Sequence, residues 1–403
     1  MIVALLAAVT CGVGLLLAGL PDAFSPVGQW DFEAYYFALK VYDAGGNPWE
    51  TPEVVKAAGR AVWPFLYPHH TFLFFRLFDF DDLGKAKDVY LATRLACVAF
   101  LLVLWTYGFV RKGGRGWFLA FAALGCNATI CRDLAVGNVS IVEQVPLWLG
   151  LFALLKGRLW AFCALVILAG QFKMLPIALV GLVLTTDAKG RWMYLWASVL
   201  ACVGIAAGVY LSNPWAARTF AHLTFLVGTM EPGGSINPNS LALFRELCDG
   251  LLRSSDFLGD VTPKQVANVV YGVFAVAMVG AYAWRVRRGM ETRTALFVGV
   301  LTYVLLAPRM KDYSYIIALV PTFELIRGQL SRPNSLKWMI VGAALLLALP
   351  GFDMSWQYRP LLLAGWAWLV GMTSAAEDLP QPTRIESGPR MHGATISGAT
   401  NKT

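Results

Sequence analysis

Long apolar runs, parted by short turns rich in lysine and arginine, recur along almost the whole of this chain. A helix needs about 20 residues to cross about 30 Å of hydrocarbon, and in that solvent a segment must be helical to satisfy its own backbone. The 403 residues are 57% hydrophobic and only 14% charged, with 15 tryptophans, a composition that excludes a soluble globular protein. The expected fold is all-α, a polytopic membrane helical bundle of roughly 11–12 membrane helices or half-helices.

Basic residues collect in the turns 111–115, 156–158, 189–191, 285–288 and 327–337, and short basic connections lie on the cytoplasmic side. The segments 21–87, 132–138, 212–264, 308–312 and 351–359 are then external. Between them the sequence predicts spans over 89–110, 117–131, 141–155, 193–211, 266–284, 295–306, 315–326, 338–349 and 361–372. The first apolar run, 2–20, has no Lys or Arg before it and no clear small-x-small cleavage site after it. It reads as a retained anchor, with both chain ends in the cytoplasm.

The stretch 159–186 is long for one span and, crossed once, would put the 189–191 turn outside. Two shorter helices meeting near Gly170-Gln171-Phe172-Lys173 repair the alternation, and Pro176 supports a break there. Lys173 then stands near the external surface. A lysine in an apolar stretch is costly unless it snorkels or finds a partner, so its default reading is functional. The segment 63–80 is apolar but carries His69, His70 and Arg76, and reads as an interfacial or re-entrant helix. Residues 1–375 form one membrane domain, with external loops 21–87 and 212–264, and the polar stretch 376–403 a disordered cytoplasmic tail. The net charge of +8 comes largely from the cytoplasmic turns, so it reports topology and not nucleic-acid binding.

Every candidate catalytic carboxylate falls in the external segments. Asp31, in Gly28-Gln29-Trp30-Asp31-Phe32-Glu33-Ala34-Tyr35-Tyr36, is either the N-cap of a helix over 32–42 or a catalytic group beside the membrane. Glu33 competes with it; on a helix the two diverge by about 200°, so only one faces a cleft. The aromatics Trp30, Tyr35, Tyr36, Tyr42, Trp49, Trp63 and Tyr67 suit a headgroup belt or a sugar-stacking cleft. Asp79, Asp81 and Asp82 read as a solvated turn neutralised by Lys85 and Lys87, with a spacing close to what a divalent cation takes. Asn239 reads equally as a helix cap and as a ligand on a loop that closes over an acceptor. The cysteines sit mostly inside apolar runs and read as packing residues.

In order along the chain, Asp31-Phe32-x-x-Tyr35-Tyr36, Gly46-Asn47-Pro48-Trp49, Tyr67-Pro68-His69, Lys173, Asn239-Ser240-Leu241 with Arg245, and Ala307-Pro308-Arg309 form a pattern that resembles glycosyltransferase family 87. That family belongs to the GT-C class of polytopic enzymes that use polyprenyl-phosphate sugars. The resemblance implies a bundle of membrane helices with interfacial helices in the first external loop, and an acidic residue of that loop, here Asp31, as catalytic base. Three positions depart from the family's pattern. His69 stands where a second proline is common, Gly137-Asn138 where a Gly-Gln pair is common, and Tyr313 where a histidine is common.

The implied reaction is an inverting transfer of a sugar, mannose first and arabinofuranose second, from a polyprenyl-phosphate donor to a lipid-linked or glycan acceptor outside the cytoplasmic membrane. It needs a base within hydrogen-bond reach of the acceptor hydroxyl, the role expected of Asp31. It also needs cations, or a metal, against the departing phosphate. Lys173 is expected there first, then Arg309, with Lys311 and His69. Glu33, Tyr35, Tyr36, Tyr67, Asn239 and Arg245 are expected around the sugar and acceptor. Lys311 and Arg245 have a competing reading as partners of Asp312 and Glu246. No cofactor is expected, a divalent cation being left open. A glycolipid transporter is the alternative from another class; it calls for repeated halves and midplane charge, for which Glu143 is the one acidic candidate.

Overall fold

The computed structural model describes residues 21, 22, 24, 25, 28–230, 234–252, 262–330, 342 and 357–374. The anchor expected at 2–20, nearly all of the span at 338–349, most of the segment 351–359 and the tail 376–403 lie outside the described residues. Every regular element among the described residues is helical. In order these are α1 (Trp30–Asp43), α2 (Thr51–Ala58), α3 (Leu83–Leu104), α4 (Arg115–Val136), α5 (Ser140–Leu155) and α6 (Leu159–Gly170). There follow α7 (Arg191–Ser212), α8 (Pro214–Met230), α9 (Ser240–Leu252), α10 (Pro263–Arg287), α11 (Thr292–Leu306), α12 (Leu319–Leu330) and α13 (Arg359–Ser374). Two longer 3-10 helices, Leu175–Thr185 and Asp312–Ala318, join them.

Among the described residues three helices are long and apolar enough to cross a bilayer: α7, α10, and α3 with its π-helical continuation Trp105–Phe109. α7 turns Trp192, Trp196, Leu200 and Val203 outward, and α10 turns out Val269, Val273 and Val276. Large apolar side chains three and four apart on an outward face are what a helix presents to hydrocarbon rather than to water. The protein is thus an all-α membrane helical protein. α4 is bent by 54° between Cys126 and Ala128, both at positive φ, and its two parts taken together pass as a fourth such helix.

α5 and α11 cover the expected spans 141–155 and 295–306, and other expected elements need correction. α5, α6, the 3-10 helix Leu175–Thr185 and α11 are apolar but only 10–17 residues long. The expected helix 315–326 divides at Leu319, and the expected loop 132–138 is mostly the last turn of α4. The segment 63–80 forms three short helical turns, His69–Thr71, Phe72–Phe75 and Arg76–Phe78, and no single helix. The stretch 159–186 divides as the sequence predicts: α6 packs against the 3-10 helix Leu175–Thr185, and Lys173 sits in the turn between them.

Among the described residues two apolar clusters fill the interior, a large one within the bundle and a smaller one around α1. In the smaller, Phe32 stacks on Tyr90 with ring centres 4.2 Å apart, and Phe65 on Phe72 at 4.8 Å. Tyr35, Tyr36, Trp49 and Tyr67 are buried in this cluster and Tyr42 packs against it, so these first-loop aromatics are core and not a belt, whereas Trp63 is 60% exposed.

α1 is tied to the end of α4 by backbone. Gln29, not Asp31, is the N-cap residue, so the cap reading of Asp31 is corrected. Gln29 adopts a left-handed φ of 59° and its N–H donates to the Ala135 carbonyl at 2.8 Å. Gly137 ends α4 at φ 80°, where a Cβ would lie 2.7 Å from Gln29 Cα. Glycine supplies both the left-handed conformation and the close approach. Arg94 of α3, fully buried, pairs with Asp133 at 2.9 Å and donates to the carbonyls of Asp133 and Leu134. It thereby satisfies late α4 carbonyls and matches a buried charge with a buried charge.

Gly137→Ala meets the left-handed penalty and the Gln29 backbone together, and is expected to cost about 2 kcal/mol or more of stability. A melting temperature equal to that of the wild type in detergent would show that the joint is not tight.

Candidate active site

The joint delivers Asp31, one residue into α1, and Asn138, one residue past Gly137, to the same point. Asn138 Nδ2 lies 2.6 Å from Asp31 Oδ2, 3.1 Å from Tyr35 Oη, 3.2 Å from Tyr313 Oη and 3.4 Å from Tyr67 Oη. A carboxamide has two N–H bonds for these four oxygens, so the shortest contact, to the charged acceptor, takes one and the tyrosine hydroxyls share the other. Asn138 Oδ1 accepts from the Ser140 N–H at 3.0 Å and from Ser140 Oγ at 2.8 Å, which orients the amide. Lys173 Nζ donates to Ser140 Oγ, lies 3.7 Å from Glu143 Oε2, and sits 5.4 Å from the centre of the Tyr313 ring. One chain of donors therefore runs from Lys173 through Ser140 and Asn138 to Asp31.

Asp31 keeps part of its surface accessible, and among the described residues its hydrogen bond uses Oδ2 alone. Burial pushes its carboxyl above the usual aspartate range, against the opposing pull of the Asn138 hydrogen bond and of the charges on Lys173, Lys311 and Arg94. Tyr67 is braced from behind. The Trp49 indole donates to the Tyr67 carbonyl at 2.9 Å, Asn47 Oδ1 accepts from the Trp49 N–H at 3.1 Å, and the Asn47 N–H donates to Glu53 at 2.7 Å. Tyr313 comes from the 3-10 helix Asp312–Ala318, held to α4 by Thr129 on the Asp312 carbonyl (3.0 Å) and Arg132 on its carboxylate (2.9 Å).

Other expected site residues are placed elsewhere. Glu33 points away from Asp31 into an ion pair with Lys87 and with Arg60 at 2.9 Å. Tyr36 donates to the Phe80 carbonyl at 2.6 Å. Asn239 Oδ1 accepts from the Ala242 N–H at 2.9 Å and so caps α9, while Arg245 reaches Asn268 of α10 at 3.2 Å. The pairings expected for Asp312 and Glu246 are corrected: Asp312 holds Arg132, and Glu246 accepts from Tyr358 at 2.6 Å. His69 Nε2 is 3.2 Å from Ser212 Oγ, and burial lowers its pKa, leaving the ring neutral near pH 7. Arg309 lines a small cleft with Lys173, Ser140, Glu143 and Gln144, and Lys311 precedes the Asp312–Ala318 helix.

The acidic turn is also rearranged. Asp79 pairs with Lys40 at 2.6 Å and Asp82 caps α3 through the N–H groups of Gly84 and Lys85. Lys87 turns inward to Glu33 and the Gly28 carbonyl, so it does not neutralise that turn. Among the described residues no three His, Cys, Asp or Glu side chains group to hold a metal ion. Asn138, Ser140 and Tyr313 were missed as site residues by sequence reasoning. The signal for Asn138 and Tyr313 lay in two of the three departures from the family pattern, and Ser140 carried none.

A family model described as glycosyltransferase family 87 matches residues 65–308, more than half of the chain. The chain belongs to glycosyltransferase family 87. No curated protein and no solved structure matches it. The match takes in Tyr67, Asn138, Lys173, Asn239 and Arg245, begins after Asp31 and ends just before Arg309. As a family 87 glycosyltransferase, the protein transfers a sugar from a donor to an acceptor.

Asn138→Ala removes a bond that lowers the Asp31 pKa, so the Asp31 carboxyl rises further. A transfer step that needs ionised Asp31 loses rate as pH falls through that pKa. The acid limb of the wild-type pH–rate profile is therefore expected above the ordinary aspartate range, and that of Asn138→Ala at higher pH still. An unmoved limb in the variant would detach Asn138 from Asp31.

Proposed function

We propose that this enzyme takes a sugar, mannose before arabinofuranose, from a polyprenyl-phosphate donor and transfers it with inversion to a lipid-linked or glycan acceptor at the external face of the cytoplasmic membrane. The observation that carries the reading is the donor chain joining Lys173 to Asp31. This reaction needs an anion site and a base side by side, and family membership supplies the sugar transfer. The basic turns, assigned to the cytoplasm by the positive-inside rule, support the external placement.

In this reading the acceptor hydroxyl lies against Asp31 Oδ1. As its oxygen attacks the anomeric carbon, its proton passes to Asp31 and the bond from that carbon to the phosphate oxygen breaks. Asn138 holds Oδ2 and so turns Oδ1 toward the acceptor. A desolvated carboxylate is a stronger base than one in water, which suits it to a hydroxyl. Lys173 and Arg309, on the shared cleft, meet the charge that develops on the leaving phosphate. Tyr35, Tyr67 and Tyr313 wall the base from the bulk. Glu33, Tyr36, Asn239 and Arg245 take no part, because their polar atoms already serve α1, α9 and the contacts around them.

In membranes supplied with radiolabelled polyprenyl-phosphate mannose, Asp31→Asn is expected to lose about 10²–10⁴-fold in transfer rate at unchanged expression. Transfer at the wild-type rate would remove Asp31 as the base. Lys173→Ala is expected to lower both donor affinity and turnover, and wild-type values of both would leave Lys173 a mere surface-seeking cation.

A further inference from the structure

Glu143, in the first turn of α5, lines the same cleft as Lys173, Ser140 and Arg309. It is 3% exposed, and its Oε2 has no hydrogen-bond partner among the described residues. The 3.7 Å to Lys173 Nζ is an ion-pair distance but too long for a hydrogen bond. The short contact of Lys173 goes to Ser140 instead. Ion pairs that serve only to hold this fold are shorter: Arg94–Asp133 is closed at 2.9 Å, although Asp133 Oδ2 also has no hydrogen-bond partner among the described residues, and Lys87 is hydrogen-bonded directly to Glu33. The Glu143–Lys173 pair is loose, and the Lys173 side chain is 25% exposed. A buried carboxylate with an unsatisfied oxygen persists only where something compensates it.

We propose that Glu143 is a resident counterion of Lys173, displaced when a phosphate enters the cleft. The proposal rests on the reading of that cleft as the phosphate subsite. In the empty enzyme Glu143 compensates Lys173. When donor binds, Lys173 turns to the phosphate and the carboxylate is left beside an anion. The donor is a phosphodiester with one negative charge, whereas the released polyprenyl phosphate is a monoester that carries more near pH 7. Repulsion from Glu143 therefore falls hardest on the product, and its physical effect is to speed product release.

The test is equilibrium binding of a short-chain polyprenyl monophosphate to the purified full-length protein in detergent. E143Q removes the charge at nearly constant volume and is expected to tighten binding about tenfold or more. The gain is expected to shrink when Lys173→Ala is added, because the competition of Glu143 for Lys173 is then gone and only its direct repulsion of the phosphate is left to relieve. Glu143→Met, also neutral, takes the place of E143Q if the latter does not purify folded. Equal or weaker binding in the neutral variant, no binding in either protein, or a gain undiminished by Lys173→Ala overturns the proposal. Because no transfer is measured, this outcome is independent of whether Asp31→Asn abolishes activity.

Discussion

The backbone contact between Gln29 and Gly137 is the constraint on which the candidate site depends. Two left-handed residues from distant parts of the chain meet so closely that a Cβ on Gly137 would overlap Gln29. The contact fixes where α1 starts, and with it the direction in which Asp31 leaves the helix. It also fixes where α4 stops, and with it the direction of Asn138. The buried Arg94–Asp133 pair holds the same turn from the other side, donating to carbonyls that the end of a helix leaves without partners. A site built this way is rigid for a backbone reason, before any side chain is considered.

Charge is distributed around that joint in closed and open pairs. Arg94 with Asp133, and Glu33 with Lys87 and Arg60, are spent on holding helices together. Asp31, Lys173 and Glu143 are connected but not closed on one another: a hydrogen-bonded serine and asparagine stand between the first two, and a 3.7 Å gap between the last two. Polar groups in a low-dielectric interior interact strongly, so an incompletely satisfied network is costly unless a ligand completes it. In the proposed reaction the open pairs supply the base and the anion site, and the closed pairs take no part.

The departures from the family pattern take on a different meaning in three dimensions. Asn138 and glutamine both offer a carboxamide, with a donor for Asp31 and an acceptor for Ser140. Tyr313 places a hydroxyl at Asn138 and a ring under Lys173, where an aromatic face favours a cation. The family pattern favours Asp31 over Glu33, but local sequence alone does not separate them, since both are acidic and both lie in the first turn of α1. They separate only when Lys87 and Arg60 arrive on one face of the helix and Asn138 on the other.

The sequence by itself determined the helical class, the membrane character, the break at Lys173 and the family pattern, because each is written in local composition and spacing. A run of apolar residues must be helical in hydrocarbon, and a lysine with a nearby proline interrupts it wherever the helix packs. Tertiary structure alone decided which carboxylate is free and which aromatics are core rather than belt. It also decided that Ser140 and Asn138 link Lys173 to Asp31. Those outcomes are set by contacts between residues some thirty to more than a hundred positions apart, and local patterning holds no record of which distant partner reaches a side chain first.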